Sequence, residues 1–237
     1  LAVTNVTQPL SGTAAVEQNQ VRFTPWLDFH GDDFFNYAVT DGNGLSSSAR
    51  VAVVVADPAT TVGEPLHLPL PDLSVVTLLT VTTSAGDTAI LLPAGSIFTG
   101  SFPSEATFDL VYTELTNPSP PLTDADFAGR AFVLHFFINA ELQHGYVFAQ
   151  PILLTLSYDP AVVHDPSKLA LFFYDEGVGK WSDDGITIVA VDSEAHTFTA
   201  SVAHLTQFAA AIRAPTAEEV VDEPAGPFRL YLPVINN

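Results

Sequence analysis

Short runs in which apolar and polar residues alternate are the feature that most constrains the fold of this 237-residue chain. A period of two carried by β-branched and aromatic side chains is typical of a β-strand with one buried face. Six such runs stand out, at residues 51–55, 107–112, 131–138, 152–158, 169–174 and 197–202. Long helical periodicity is missing, and residues 123–129 suggest one short helical turn. The sequence therefore predicts an all-β protein.

Turn sequences rich in glycine and aspartate separate these runs. They are Asp-Gly-Asn-Gly at 41–44, Ala-Gly-Asp at 85–87, Glu-Gly-Val-Gly at 176–179 and Asp-Asp-Gly at 183–185. These sequences favour hairpins and β-bulges because Gly, Asn and Asp tolerate the positive φ angles that tight turns require. Many short strands joined by such turns predict β-sandwich domains.

Two changes of composition divide the chain. Residues 57–71 carry four of the 18 prolines, and residues 214–227 are rich in Pro, Glu and Asp. We therefore predict a first β-sandwich at 1–56, a linker at 57–71 and a larger β-sandwich at 72–213. An acidic, proline-rich tether at 214–227 then leads to a C-terminal β-strand at 228–237.

The charge balance restricts the partners of the protein. A net charge of −20, from 27 acidic and 7 basic side chains, disfavours nucleic acid and anionic membrane surfaces. Only 14% of residues are charged while 47% are apolar, which indicates apolar surface buried against other copies in a homo-oligomer or homopolymer. No run approaches the roughly 18 apolar residues of a membrane helix, so no membrane insertion is expected. The chain lacks Cys, and it lacks Met even at position 1, which predicts a processed polypeptide without disulfides.

The N-terminal residues carry a specific pattern of motifs. They are TNVTQP at 4–9, GT at 12–13, VRFTP at 21–25, FHGDDFFNY at 29–37 and TDGNG at 40–44. In this order they resemble the later part of the bacterial Ig-like, cadherin-like tandem modules of large surface proteins. The resemblance implies an extracellular, cell-surface location. It also implies that the first domain is incomplete, because the first strands of such a module would precede Leu1.

An incomplete sandwich exposes an apolar groove and an unpaired strand edge. The last ten residues, FRLYLPVINN at 228–237, have the pattern of a strand and follow a flexible tether. A tether of about 14 residues spans at most about 45 Å, which is enough to reach an adjacent copy. We therefore predict that this segment adds a strand to a neighbouring subunit.

Only one face of such a strand enters the acceptor, and the uniformly apolar face is the better choice. Its residues are Phe228, Leu230, Leu232 and Val234. Two other readings stay open, since the segment could pair within its own chain or serve as a sorting or processing signal. Pro233 favours an edge position for the strand.

Residues 81–212 show a second resemblance. The stretch 86–95, with its Pro-Ala-Gly turn, PILLTLSY at 151–158, LALFFY at 169–174, Lys-Trp at 180–181 and VAHLTQFA at 202–209 resemble the β-sandwich module of netrin receptors and ankyrins, which bacterial surface proteins also contain. Some animal relatives cut their own backbone at a His-Phe-Ser site. The corresponding residues here, His204, Leu205 and Thr206, keep a hydroxyl and a base, so the resemblance makes self-cleavage an alternative function.

Other polar residues suggest weaker sites. Asp32, Asp33, Asp41 and Asn43 offer the hard oxygen ligands that Ca²⁺ prefers, although Asp and Asn are also common hairpin residues. Asn5 begins an Asn-Val-Thr glycosylation sequon. Trp181 could stack on a sugar or pack in a core.

Nothing in the sequence nominates an enzyme. The seven histidines lack zinc-binding spacing, and the chain has neither a phosphate-binding glycine loop nor a nucleophile elbow. No cofactor is expected apart from the calcium just described. The sequence predicts an extracellular structural subunit that assembles into a filament or surface layer through its C-terminal strand. The alternatives are a cell-surface adhesive or carbohydrate-binding module and a self-cleaving β-sandwich.

Overall fold

The computed structural model describes residues 1–26, 29, 31–55, 62–70, 73–97 and 105–213, and its strands are numbered here in chain order. Eight strands form the first sheet. In spatial order they are β1 (Ala2–Val6), β4 (Gly31–Thr40), β5 (Ser46–Val55), β7 (Val76–Thr83), β8 (Gly86–Leu92), β12 (Val147–Ser157), β16 (Thr197–His204) and β15 (Thr187–Asp192).

Seven strands form the second sheet, and two form a separate hairpin. The second sheet runs in the order β14 (Lys180–Ser182), β13 (Leu169–Asp175), β17 (Gln207–Arg213), β10 (Ala125–Ile138), β9 (Phe108–Leu115) and β6 (Leu66–Pro69), and β11 (Glu141–Leu142) pairs with β10. The hairpin consists of β2 (Gly12–Glu17) and β3 (Gln20–Pro25). A 3₁₀ turn occupies Pro166–Lys168. No helix in the described part of the chain has the length and apolar character needed to cross a membrane.

The main core lies between the two large sheets and follows from alternation along strands such as β12. On β12 the inward residues are Ile152, Leu154 and Leu156, and all three are fully buried. They face aromatic residues of the second sheet such as Phe132 and Phe136 in one continuous cluster. Each buried side chain of this size stabilises the fold by about 1.5–3 kcal/mol.

The first sheet joins two regions, because β5 and β7 pair in parallel over 51–55 and 76–80. Consecutive residues of β5 face opposite sides of this sheet: Val54 belongs to the main core and Val53 to a smaller one. We call β1 to β5 the N-terminal unit and β6 to β17 the larger sandwich. The predicted linker at 57–71 contributes β6 to the second sheet within its described part.

The small core of the N-terminal unit lies under the β2–β3 hairpin. Its buried residues are Ala14, Phe35, Val51 and Val53. Phe23 of β3 stacks on Phe35 of β4 with ring centroids 6.2 Å apart. The hairpin therefore forms the second layer over β4 and β5.

A buried polar cluster interrupts the main core at Arg130, whose exposed fraction is 1%. Its guanidinium donates to both carboxylate oxygens of Glu114 at 3.2 and 3.3 Å, to Thr88 Oγ1 at 2.7 Å and to the carbonyl of Asp87 at 2.9 Å. Burial alone would lower the pKa of Arg130, but Tyr112 and Glu114 raise it. Burial, together with Glu114, raises the pKa of the Tyr112 hydroxyl, which donates to Glu114. The cluster is therefore a satisfied ion pair rather than an isolated charge.

The structure confirms the all-β prediction, and each of the six alternating runs lies in a strand or overlaps one. The predicted helical turn at 123–129 is wrong, because β10 begins at Ala125 and pairs there with Arg213. The turn at 183–185 does not close a hairpin, since β14 and β15 belong to different sheets. Residues 214–237, with the tether and the C-terminal strand, lie outside the described residues. The domain boundaries stay predictions.

Candidate assembly surface

A side chain covers the outer edge of β1. The amide of Asn19 accepts a hydrogen bond from the Val3 N–H at 2.6 Å and donates to the carbonyl of Leu1 at 3.3 Å. Asn19 lies in the β2–β3 turn with φ +67°, a conformation that Asn tolerates better than most residues. Strand β1 therefore offers fewer free main-chain groups than an ordinary edge.

A second side chain covers the outer edge of β2. The Gln8 amide donates to the carbonyl of Ala14 at 2.8 Å and accepts from the Ala14 N–H at 3.1 Å. These two bonds copy what a neighbouring strand would make with Ala14. Sequence reasoning missed both edge covers, because a single Gln or Asn carries no pattern that reveals its contacts.

Strand β3 has an open edge on the side away from β2. No other strand of the described residues pairs with it. Since Ala14 turns its main-chain groups toward Gln8, its partner Phe23 must also turn its groups away from the hairpin. The same holds for Val21, two residues along. Strand β3 thus presents main-chain donors and acceptors that a further strand could pair.

An apolar shelf packs against the same small core as Val21 and Phe23 of β3. Val76 and Leu78 of β7 are half-buried and pack against the small core. Leu91 of β8 pairs with Leu78 and lies on the same face of the sheet. We call the free edge of β3 and these three side chains the acceptor groove.

Exposed apolar side chains are concentrated in the N-terminal unit and the turns next to it. Among the described residues, six of the eleven large exposed apolar side chains lie before residue 56, in the smaller part of the molecule. They are Leu1, Leu10, Val16, Trp26, Phe34 and Leu45. Phe34 is partly shielded by Arg50, whose guanidinium carbon lies 3.9 Å from the ring centroid. The N-terminal unit thus exposes more large apolar side chains than its share of the chain.

The predicted calcium ligands do not come together. Asp33 is the third residue of β4, whereas Asp41 and Asn43 follow its end, and the extended strand separates them by about 25 Å. Asp32 and Asp33 are neighbours in a strand, so they point to opposite faces. Among the described residues no three His, Cys, Asp or Glu side chains could hold a metal ion together. These four residues therefore do not form one site. Calcium binding stays a prediction.

Two of these aspartates have local structural roles. The buried Asp33 carboxylate accepts from the N–H groups of Ser11 at 2.6 Å and Phe34 at 2.7 Å. Burial opposes the charged form, but these bonds outweigh it and lower the pKa of Asp33. Asp41 accepts from the Asn43 N–H at 2.7 Å, and this bond lowers its pKa. Asp33 thus ties the segment before β2 to β4, and Asp41 closes the hairpin.

The remaining predicted sites fall at separate places. Asn5 is exposed on β1, and the Thr7 hydroxyl of its sequon accepts from the Asn36 N–H at 2.9 Å. Trp181 is half-buried and donates its indole N–H to the carbonyl of Pro120 at 2.8 Å. The assembly residues Phe228, Leu230, Leu232 and Val234 lie outside the described residues.

The predicted self-cleavage residues occupy the crossing from the first sheet to the second, beside an open cavity of about 550 Å³. The Thr206 hydroxyl donates to the carbonyl of Tyr174 at 3.0 Å. The His204 ring packs edge-on against Phe173 at 4.3 Å, and its Nε2 atom has no partner in the described part of the chain. Burial lowers the pKa of His204, while Asp175 opposes this shift. Self-cleavage stays a prediction.

Comparison with known proteins identifies the N-terminal region. Residues 1–54 match the family model of the bacterial Ig domain, which confirms the resemblance seen in the motifs. A search of curated proteins found no match to the chain. Bacterial Ig domains typically occur in surface proteins, and with the all-β fold the match suggests a non-enzymatic structural module. The resemblance of residues 81–212 to the netrin-receptor and ankyrin module stays a prediction. The N-terminal unit is therefore a bacterial Ig-like module.

Proposed function

We propose that the chain is an extracellular structural subunit of a bacterial surface, which assembles into a filament or layer by strand addition. In this proposal residues 228–237 of one copy enter the acceptor groove of a neighbouring copy. The match of residues 1–54 to the bacterial Ig domain supports the surface role. The observation that carries the proposal is the open edge of β3, together with an apolar shelf that packs against the same small core.

The groove and the C-terminal segment are chemically complementary. A strand added to β3 pairs its main chain with Val21 and Phe23 and directs alternate side chains at the shelf. The apolar face made of Phe228, Leu230, Leu232 and Val234 suits a shelf of Val76, Leu78 and Leu91. Each of these side chains stabilises the contact by about 1.5–3 kcal/mol when it is buried.

Charge also favours this segment over others in the chain. Residues 228–237 contain no Asp or Glu and one Arg, in a chain with a net charge of −20. Two copies repel each other at long range, so a contact segment without acidic residues costs less to bring into place. The predicted tether before it holds four acidic residues, Glu218, Glu219, Asp222 and Glu223, so the segment without acidic residues differs from the rest of the C-terminal region.

The test compares the full chain with three variants by sedimentation velocity and negative-stain electron microscopy. Deleting residues 228–237 removes the donor strand. Val21→Pro removes an N–H that faces the open edge and is not needed by β2, whereas Val21→Thr keeps it. We expect polymers from the full chain and from Val21→Thr, and none from the other two. Polymers from the deletion variant, or equal assembly by both Val21 variants, would exclude donation into this groove.

A further inference from the structure

Strand β15 forms the far edge of the eight-stranded sheet, at the opposite end from the N-terminal unit. It pairs only with β16 within the described part of the chain. Its sequence, Thr-Ile-Val-Ala-Val-Asp, is almost uncharged, and Val189 and Val191 are 52% and 39% exposed. An exposed, β-branched edge of this kind readily pairs with another strand.

Most other edges in the described residues carry a covering side chain, a proline, a lysine or a very short strand, whereas β15 carries only a β-bulge at Val189. Asn19 covers β1 and Gln8 covers β2. Strand β6 has four residues and ends in Pro69, and β14 has three residues and begins with Lys180. Short length, proline, lysine and covering groups are the means by which folded proteins block unwanted strand pairing. Apart from β3, β15 is the longest edge among the described residues without a proline, a lysine or a covering side chain.

The backbone of β15 points free groups outward. The Tyr158 N–H donates to the carbonyl of His196 at 2.9 Å. The even-numbered residues of β16 therefore direct their main-chain N–H and C=O groups to β12. The main-chain groups of the odd-numbered residues of β16 then point to β15, where they bond to Ala190 and Asp192. It follows that Val191, opposite Phe198, turns its N–H and C=O away from β16. These groups are available to a further strand.

We propose that β15 is a dimer interface, at which it pairs antiparallel with β15 of a second copy about a twofold axis. This arrangement joins two eight-stranded sheets into one. A twofold contact needs a self-complementary surface, and the charges of β15 meet this condition. In the antiparallel arrangement Asp192 of one copy meets the uncharged Thr187–Ile188 end of the other, so no like charges lie opposite each other.

Charges beyond the strand ends set the salt dependence. Asp184 and Glu194 are exposed on either side of β15, and the twofold axis brings the acidic ends of the two copies near each other. Added salt screens this repulsion, so dimerisation should strengthen as ionic strength rises. A register shift at Val189 bulges the strand and confines the new ladder to a short stretch. The dimer is therefore weak and reversible.

This interface does not depend on the C-terminal segment, and the experiment separates the two. The starting protein is the full chain with Leu230→Asp and Leu232→Asp, which disable strand donation. In this background, sedimentation equilibrium compares Val191→Pro, which removes the outward N–H, with Val191→Thr, which keeps it. Each dimer loses two main-chain hydrogen bonds with proline, so we expect its dissociation constant to rise at least about tenfold, against less than about threefold with threonine.

The outcomes are decisive in either direction. A dimer that persists in the background protein, strengthens with salt and is lost with Val191→Pro supports the β15 interface. A background protein that is monomeric at every concentration, or equal dimerisation by both Val191 variants, overturns it. If Val191→Pro lowers the melting temperature, Val191→Glu replaces it, because it keeps the backbone and adds a charge to each copy at the edge.

Discussion

The N-terminal unit and the larger sandwich share one sheet, yet their cores differ greatly in size. Among the residues that the structure describes, the main core contains 28 buried apolar residues and the small core contains four. The β2–β3 hairpin provides only two strands to cover the N-terminal part of the sheet. The N-terminal unit therefore relies on its pairing with β7 for part of its stability. It should open at a lower free energy than the larger sandwich.

The largest effect is expected at Arg130 in the larger sandwich. Arg130→Ala leaves the buried Glu114 without its partner and should lower the free energy of unfolding by about 3–5 kcal/mol. Chemical denaturation measures this loss. The double variant Arg130→Met, Glu114→Leu removes both charges and should recover most of it. A loss below about 1 kcal/mol in Arg130→Ala would mean that the cluster contributes little to the main core.

The second effect tests whether the two regions open separately. Phe35→Ala removes the largest buried side chain of the small core and should destabilise the N-terminal unit by about 3 kcal/mol. Native-state hydrogen exchange should then quicken in β1 to β5 while β12 and β16 keep their rates. The neighbouring Phe34→Ala is the control, since Phe34 is 48% exposed and loses only its contact with Arg50. Equal acceleration throughout the larger sandwich would show that both regions unfold as one unit.

A third prediction concerns a close approach in the larger sandwich. Gly86 has φ +128°, and a Cβ there would lie 2.3 Å from Ser157 Oγ and 3.0 Å from Arg130 Nη1. Gly86→Ala should therefore cost about 2–3 kcal/mol in thermal or chemical unfolding. Gly185→Ala is the matched control, because Gly185 also has positive φ but no atom within 4 Å of the new Cβ. Equal losses at both positions would assign the effect to backbone conformation alone.

The smallest effect is a pH dependence of the N-terminal unit. The pKa of Asp33 is lower in the folded protein than its usual 3.8, so its contribution is complete above that pH and is lost as pH falls through the folded value. Asp33→Asn should remove about 1 kcal/mol of stability at neutral pH, the contribution of one hydrogen bond, and flatten the acid transition. The measurement uses a Trp181→Phe background, in which Trp26 is the remaining tryptophan and its fluorescence reports on the N-terminal unit. Asp32→Asn, an exposed neighbour, should leave the transition in place.

Local alternation predicts six of the 17 described strands. The run at 152–158 predicts β12 because Ile152, Leu154 and Leu156 alternate inward. The helical turn at 123–129 fails because Ala128 and Arg130 continue the inward phase of β10. The alternation along β9 and β10 could have revealed the buried Arg130 cluster, since Arg130 and Glu114 occupy inward positions of apolar strands.

Long-range pairing is what the sequence does not reveal. The motifs indicate a module short of strands, but not that β7 pairs with β5 or that Gln8 and Asn19 cover two of its edges. These contacts depend on the positions of residues far apart in the chain, and no local period encodes them. The open edge of β3 is therefore visible only once the sheet is assembled.

The parallel pairing of β5 with β7 has a consequence for chimeric proteins. A graft that exchanges residues 1–56 for another module cuts along a row of main-chain hydrogen bonds, because 51–55 align with 76–80. The incoming module must then supply a terminal strand that runs in the same direction as β7 and covers its apolar face. Shuffling of the two regions, in the laboratory or in evolution, is thus restricted to modules with a compatible last strand.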